Sequence, residues 1–341
     1  MAKILVTGGT GYIGSHTVVE LQNAGFDVYI VDNLSNSEEK VVDRIKHITG
    51  IRPGFEQVDC VDYNALESVF KKNNGFDAVI NFAASKAVGE SVENPLLYYE
   101  NNLMILINIL KLMLKYGSTN LVFSSSCTVY GQPDILPVTE SAPIKPALSP
   151  YGNTKQICEE IIRDTITANS GLTSVVLRYF NPVGAHQSAE IGELPNGVPN
   201  NLLPFVAQTA IGKRSVLRVF GNDYNTPDGS CIRDYINVVD LAKAHVVSVQ
   251  RMLEKKNKSG FEVFNLGTGR GLTVLEIIKK FEEVNGVKVP FEIVGRREGD
   301  IEKVWADPTY ANTELGWKAE AGIEETLRTA WLWEQKINQT R

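Results

Sequence analysis

Residues that could crosslink the chain or bind a metal are scarce. Among 341 residues there are four cysteines and four histidines. Cys60, Cys127, Cys158 and Cys231 lie far apart and form no C-x-x-C pair. That spacing argues against disulfides and zinc and for reduced thiols in the cytoplasm. His16, His47, His186 and His245 are scattered as well, so no metal site is expected. There is no apolar run of about 18 residues, so no membrane-spanning helix is expected. The opening AKILVTGG reads as a strand running into glycines rather than as a signal peptide. Neither sign of charge dominates: Lys and Arg total 34 against 40 Asp and Glu, a net charge of -6. A nucleic-acid partner would want a basic face, which this balance does not supply. No internal repeat or low-complexity segment is evident.

What is present is an alternation of apolar β-branched runs with helical patterns. Strands are expected at 3–7, 27–31, 55–58, 77–81, 119–124 and 173–178. Helices are expected between them, at about 12–24, 38–49, 62–73, 93–116 and 150–169. This alternation predicts an α/β fold, a doubly wound parallel Rossmann-type sheet with helices on both faces. After residue 180 Pro, Gly and Asn become frequent, which suggests a smaller α/β substrate lobe. A helix at 239–254 and a strand at 262–266 are expected to rejoin the first sheet. The dinucleotide domain would then span 1–180 with about 238–268, and the second lobe 181–237 with 269–341. The helix at 93–116 contains LMILINILKLML, apolar nearly all round. It is either deeply buried or shared with a second copy of the chain, the latter giving a homodimer through 93–116 and 150–169.

The segment VTGGTGYIG follows the first strand and opens the first helix. Gly8, Gly11 and Gly14 fit a turn that lets backbone N–H groups approach a pyrophosphate. The second strand ends at Asp32, where an acid accepts bonds from ribose hydroxyls and repels a 2′-phosphate, so NAD is favoured over NADP. Asp59, after the third strand, is a weaker candidate for the adenine side.

Tyr151 and Lys155 lie in SPYGNTK, with Ser149 and Pro150 suited to a helix start. Residues four apart share a helix face. A nearby ammonium favours the phenolate and would fit Tyr151 for general-base work. FSSSCTVYG, at the end of the fifth strand, offers Ser126 as a hydroxyl near that tyrosine.

Together TGGTGYIG, Asp32, NFAASKAVGES, SSSCTVYG and Tyr151-x-x-x-Lys155 resemble the extended short-chain dehydrogenase/reductase family. The resemblance runs along almost the whole chain through LRYFNPVGAH, GVPNNLLPFVAQ, VFGNDY, DGSCIRDYI, NLGTG and RREGD. It implies an NAD site lined by Tyr12, Ile13, Asp32, Asn33, Asn36, Ser37, Asp59, Cys60, Phe82, Ala83, Lys86, Asn101, Lys155 and Phe180. It also implies that Ser126 and Tyr151 act on a UDP-hexose, with Lys155 as the third catalytic residue binding the nicotinamide ribose and tuning Tyr151. Asn181, Asn200, Asn201, Leu202, Phe220, Arg233, Arg297 and Asp300 would hold that substrate, and Val304 would line the C2 side of its sugar. Arginine forks suit the pyrophosphate of such a ligand.

The expected reaction is inversion at C4 of the hexose, with hydride passed to a tightly held NAD and returned. Elimination or decarboxylation of a nucleotide sugar would want a further acid or base near the serine segment. Ser126-Cys127-Thr128-Val129 carries no carboxylate. A C4 epimerase acting on UDP-glucuronate would want an additional cation. A non-catalytic NAD sensor would not need Ser126, Tyr151 and Lys155 together.

Overall fold

The computed structural model describes residues 1–297 and 300–339. Glu298 and Gly299 of RREGD, and the last two residues of the second lobe, lie outside the described residues.

The amino-terminal half alternates as the sequence predicts: β1 (Lys3–Thr7), α1 (Tyr12–Asn23), β2 (Asp27–Asp32), α2 (Lys40–Thr49), β3 (Gly54–Gln57), α3 (Tyr63–Asn73), β4 (Ala78–Asn81), α4 (Val88–Glu93), α5 (Pro95–Tyr116), β5 (Asn120–Ser126), α6 (Pro150–Ala168) and β6 (Thr173–Tyr179). One difference concerns α5. The helix expected from about 93 is interrupted at Asn94, because Pro95 has no N–H to continue α4 and instead starts a new helix.

The remaining elements are β7 (Asn181–Val183), α7 (Leu202–Ala210), β8 (Leu217–Phe220), β9 (Ile232–Asn237), α8 (Val238–Leu253), β10 (Phe261–Leu266), β11 (Gly271–Thr273), α9 (Val274–Asn285), β12 (Phe291–Val294), β13 (Lys303–Val304) and α10 (Ile323–Gln339). Seven strands form one parallel sheet in the order β10-β6-β5-β4-β1-β2-β3, so the late strand β10 joins the edge beside β6.

Alternation along the strands feeds two cores. Ile4, Val6, Ile30 and Ile80 face one side with Val18 and Val19 of α1. Leu5, Val31, Val79 and Phe123 face the other with Ile109 of α5 and Ile162 of α6. Burial on both faces explains why the strands read as continuous apolar runs. Truncating a fully buried side chain such as Leu5 to alanine would cost about 2–5 kcal/mol.

Strand order reverses between β1 and β4. In open parallel sheets the crevice at such a reversal, outside the carboxyl ends of the strands, is where ligands bind. Smaller sheets flank that crevice: β9 pairs with β11, β13 and β7, and β8 pairs with β12. A third core under them unites α7, α9 and α10 through Leu203, Val206, Ile277, Phe281 and Leu327.

Candidate active site

The β1–α1 turn is closed by backbone bonds, with Gly8 N–H donating to Val31 O at 2.8 Å and Gly11 N–H to Gly8 O at 3.1 Å. Gly8 has φ +71, and a Cβ there would stand 2.8 Å from Ala83 N. A Cβ on Gly14 would stand 2.2 Å from Gly8 O. No side chain caps the start of α1. Its first N–H groups and the positive end of its dipole therefore face the crevice across a surface kept bare by glycine. That cradle fits a pyrophosphate.

At the end of β2, Asp32 is buried and organises the next loop. It accepts from Thr10 N–H at 3.1 Å, Leu34 N–H at 2.9 Å and Ser37 Oγ at 3.3 Å. Asn33 Nδ2 donates to Asp59 Oδ2 at 3.1 Å, which joins two of the expected cofactor residues. Asn36 lies in the same loop, and Cys60 is buried beyond Asp59, its thiol pushed up by burial and by the two carboxylates. Phe82 and Ala83 follow β4 directly beneath Gly8. Ile13 packs on the first core. Tyr12 turns its hydroxyl to Gly184 O at 2.7 Å, and burial, then Glu193, raise its pKa. Asn101 on α5 donates to Ser85 Oγ at 2.9 Å, and its neighbour Asn102 donates to Thr154 Oγ1 on α6 at 3.0 Å.

The catalytic candidates meet at the end of β5. Ser149 caps α6 by accepting from Gly152 N–H at 3.1 Å, and Pro150 occupies the first turn. Tyr151 and Lys155 are thereby fixed on the buried face of α6. Ser126, at the end of β5, is close enough to Tyr151 to act on its hydroxyl. Lys155 Nζ donates to Ser124 O at 2.8 Å and lies 5.8 Å from the Tyr151 ring centre.

In the chain alone, without a cofactor charge, burial outweighs any lowering of Tyr151 by Lys155. Burial raises the Tyr151 pKa well above the ordinary value, the neighbouring Tyr179 adds to the rise, and nearby Ser126 opposes it. Burial also lowers Lys155 to about 8, against Cys158 and Glu159, which favour its charge. Desolvation dominates both groups.

Of the expected substrate residues, Arg233, Arg297, Asp300 and Phe220 come together. Arg233 on β9 lies opposite Val304 on β13 in the strand register. Arg233 and Arg297 both reach Asp300, at 3.7 and 2.7 Å, and Arg297 stacks over Phe220 at 5.4 Å. Arg233 is near enough to Cys127, the residue after Ser126, to lower its pKa against the rise that burial causes, which places Arg233 beside the catalytic edge. Asn181 on β7 pairs with Tyr235, two residues beyond Arg233. Val304 is buried in a cluster with Phe180, Val129 and Tyr130. Asn200, Asn201 and Leu202 stand at the start of α7, apart from the arginines in the contacts described. Asn201 Nδ2 donates to Glu193 Oε1 at 2.5 Å, and Glu193 also pairs with Lys86 at 3.6 Å.

Two residues escaped the sequence reading. Tyr179 donates to or accepts from Ser124 Oγ at 2.6 Å and borders Tyr151, although it lies inside the segment LRYFN. Glu193 links a cofactor candidate to a substrate candidate and carries no motif that signals this.

Comparison with known proteins now adds to this geometry. A family profile described as GDP-mannose 4,6 dehydratase matches residues 5–330. The chain is 52% identical over 331 residues to a UDP-glucose 4-epimerase of Bacillus subtilis, covering 97% of this chain and 96% of the relative. A crystal structure of UDP-glucose 4-epimerase from Stenotrophomonas maltophila, with bound NAD and formylated UDP-arabinopyranose, superposes with TM-score 0.96 at 46% identity, covering both chains fully. That from Bifidobacterium longum, in complex with NAD+ and UDP, gives 0.95 at 46% identity, covering 99% of this chain and 100% of that one.

Proposed function

This chain belongs to the UDP-glucose 4-epimerase family, and on that premise we propose that Tyr151, Ser126 and Lys155 carry out its proton transfers. The enzyme is an NAD-dependent isomerase that inverts C4 of a UDP-hexose, interconverting UDP-galactose and UDP-glucose. The chemistry NAD supplies when bound is reversible acceptance of hydride from C4.

The observation that supports the residue assignment is the meeting of α6 with the carboxyl end of β5: Tyr151 and Lys155 share the buried face of α6, and Lys155 Nζ is tied to Ser124 O two residues before Ser126. Tyr151 takes the proton of the sugar 4-OH and returns it to the same oxygen after the sugar has presented its other face. Ser126 shares that proton and fixes the angle of the 4-OH. Lys155, held by Ser124 O, brings a positive charge behind the phenol. Burial alone holds Tyr151 protonated, so the catalytic phenolate needs positive charge in the assembled site to offset desolvation.

The cradle of Gly8, Gly11 and Gly14 would hold the NAD pyrophosphate, and Asp32 its adenine-side ribose, favouring NAD over NADP. Arg233, Arg297 and Phe220 would bind UDP, with Asp300 orienting both arginines. Asn181, Asn201 and Leu202 would complete that subsite. We assign NAD to 1–180 with 238–268 and the UDP-sugar to the rest.

The family resemblance assigns Val304 to the C2 side of the hexose, and a side chain of that size supports turnover of UDP-GalNAc and UDP-GlcNAc as well. Leu96, Leu97 and Met104 on α5 are exposed, with Val88 and Val92 beside them on α4, and this supports a homodimer through α5 and α6. Four free thiols are consistent with a cytoplasmic setting. Among the described residues no helix is long and apolar enough to cross a membrane.

Tyr151→Phe tests the assignment. Turnover should fall by about 10²-fold or more while UDP still binds. Turnover equal to that of the unmodified protein would refute it.

A further inference from the structure

Behind the catalytic edge lies a chain of polar groups that the proton relay does not use. Glu159 follows Lys155 by one turn of α6. Its carboxylate accepts from Arg178 of β6 twice, from Nε at 3.0 Å and from Nη2 at 2.5 Å. It also accepts from Ser125 Oγ at 2.6 Å, and Ser125 directly precedes Ser126. Arg178 Nη1 continues to the Tyr130 hydroxyl at 2.9 Å, which donates to Asn265 Oδ1 of β10 at 2.7 Å. Asn265 Nδ2 donates to Val138 O at 3.0 Å. Val138 then pairs by backbone with Trp305 and Asp307, just past Val304.

Glu159 and Arg178 are each 4% exposed, and Ser125, Tyr130 and Asn265 are fully buried. A buried ion pair is a poor device for stability, because well-packed apolar side chains of similar volume often do as well. This one ties the catalytic helix α6 to β6, which is paired with the serine strand at Ser125, and through Tyr130, Asn265 and Val138 the polar chain continues to the segment just past Val304. Glu159 stands one helical turn from Lys155, Ser125 one residue from Ser126, and the far end of the chain meets Trp305 next to Val304. A fully satisfied polar network fixes geometry in a way apolar packing does not.

We propose that Glu159 and Arg178 are positioning residues that set Lys155 and Ser126 relative to each other and to the strand bearing Val304. The proposal rests on the proton-transfer roles given above to Ser126, Tyr151 and Lys155. A displacement of about 1 Å at such an edge is enough to cost about 10²-fold in rate.

The test replaces both charges at once, as Glu159→Met with Arg178→Met, so that neither is left buried alone. Bound NAD, thermal unfolding, KM and kcat for UDP-galactose are measured on the purified protein. The expected result is a folded, NAD-containing protein with KM within about threefold of the unmodified protein and kcat lower by about 10- to 100-fold. A purely structural pair would instead lower the unfolding temperature and leave kcat per NAD-containing site within about threefold, which would overturn the proposal. Tyr130→Phe keeps the ion pair and removes the hydroxyl that joins Arg178 Nη1 to Asn265, so it decides the matter if the double variant does not fold. A fall in kcat of about three- to tenfold at constant KM supports positioning, and an unchanged kcat refutes it. Turnover by the unmodified protein, measured alongside, separates failure of this pair from failure of the proposed function.

Discussion

The Lys155 ammonium lies 5.8 Å from the centre of the Tyr151 ring and donates a 2.8 Å hydrogen bond to the Ser124 carbonyl. The lysine is thus anchored to the strand that carries Ser126, with the tyrosine ring beside it. Under the proposed function its charge would act on Tyr151 through space, and burial would strengthen that action by excluding water. Lys155→Met should lower kcat by about 10²-fold or more while UDP affinity stays within about threefold. Steady-state kinetics and calorimetric titration with UDP measure both, and a kcat within threefold of the unmodified protein would contradict the role.

His16 and His245 make stability pH-dependent. Each ring donates Nδ1–H to a backbone carbonyl, Tyr12 O at 2.7 Å and Leu241 O at 2.8 Å. Among the described residues neither buried Nε2 has a partner. Burial lowers their pKa values to about 3 and about 4. Between those values and the ordinary 6.5 the unfolded chain binds protons that the folded chain refuses, so stability falls as pH falls through that window. For His245 the loss between pH 7 and pH 5 is roughly 2 kcal/mol. Urea unfolding of His245→Leu should show a shallower acid slope than the unmodified protein, and equal slopes would contradict it.

Val304 sets the breadth of the sugar pocket in this account. The protein should convert UDP-GalNAc as well as UDP-galactose. Val304→Tyr should cut kcat/KM for UDP-GalNAc by about tenfold or more and leave that for UDP-galactose within about threefold. No turnover of UDP-GalNAc by the unmodified protein would refute the prediction.

The first sheet was legible because strands such as Leu5–Val6 and Val79–Ile80 are buried on both faces and read as unbroken apolar runs. The second lobe was less so. β13 has two residues, and its pairing with β9 joins positions about seventy apart, which no local pattern announces. Helix α9 did carry a local signal, the capping box of Thr273 and Glu276, and it went unread. The glycine cradle and Tyr151-x-x-x-Lys155 were visible because their function depends on close spacing. The Glu159–Arg178 pair was not, since it forms only when α6 packs on β6. Nor was the direction of the Tyr151 shift. It is set by desolvation, a property of the folded surroundings.

The most direct test of the account is to incubate the purified protein with UDP-galactose, adding no NAD, and to follow the sugar nucleotides by chromatography. Retained cofactor and inversion at C4 predict UDP-glucose, approaching an equilibrium mixture of the two. Absence of UDP-glucose, both without NAD and after NAD is supplied, would contradict the account.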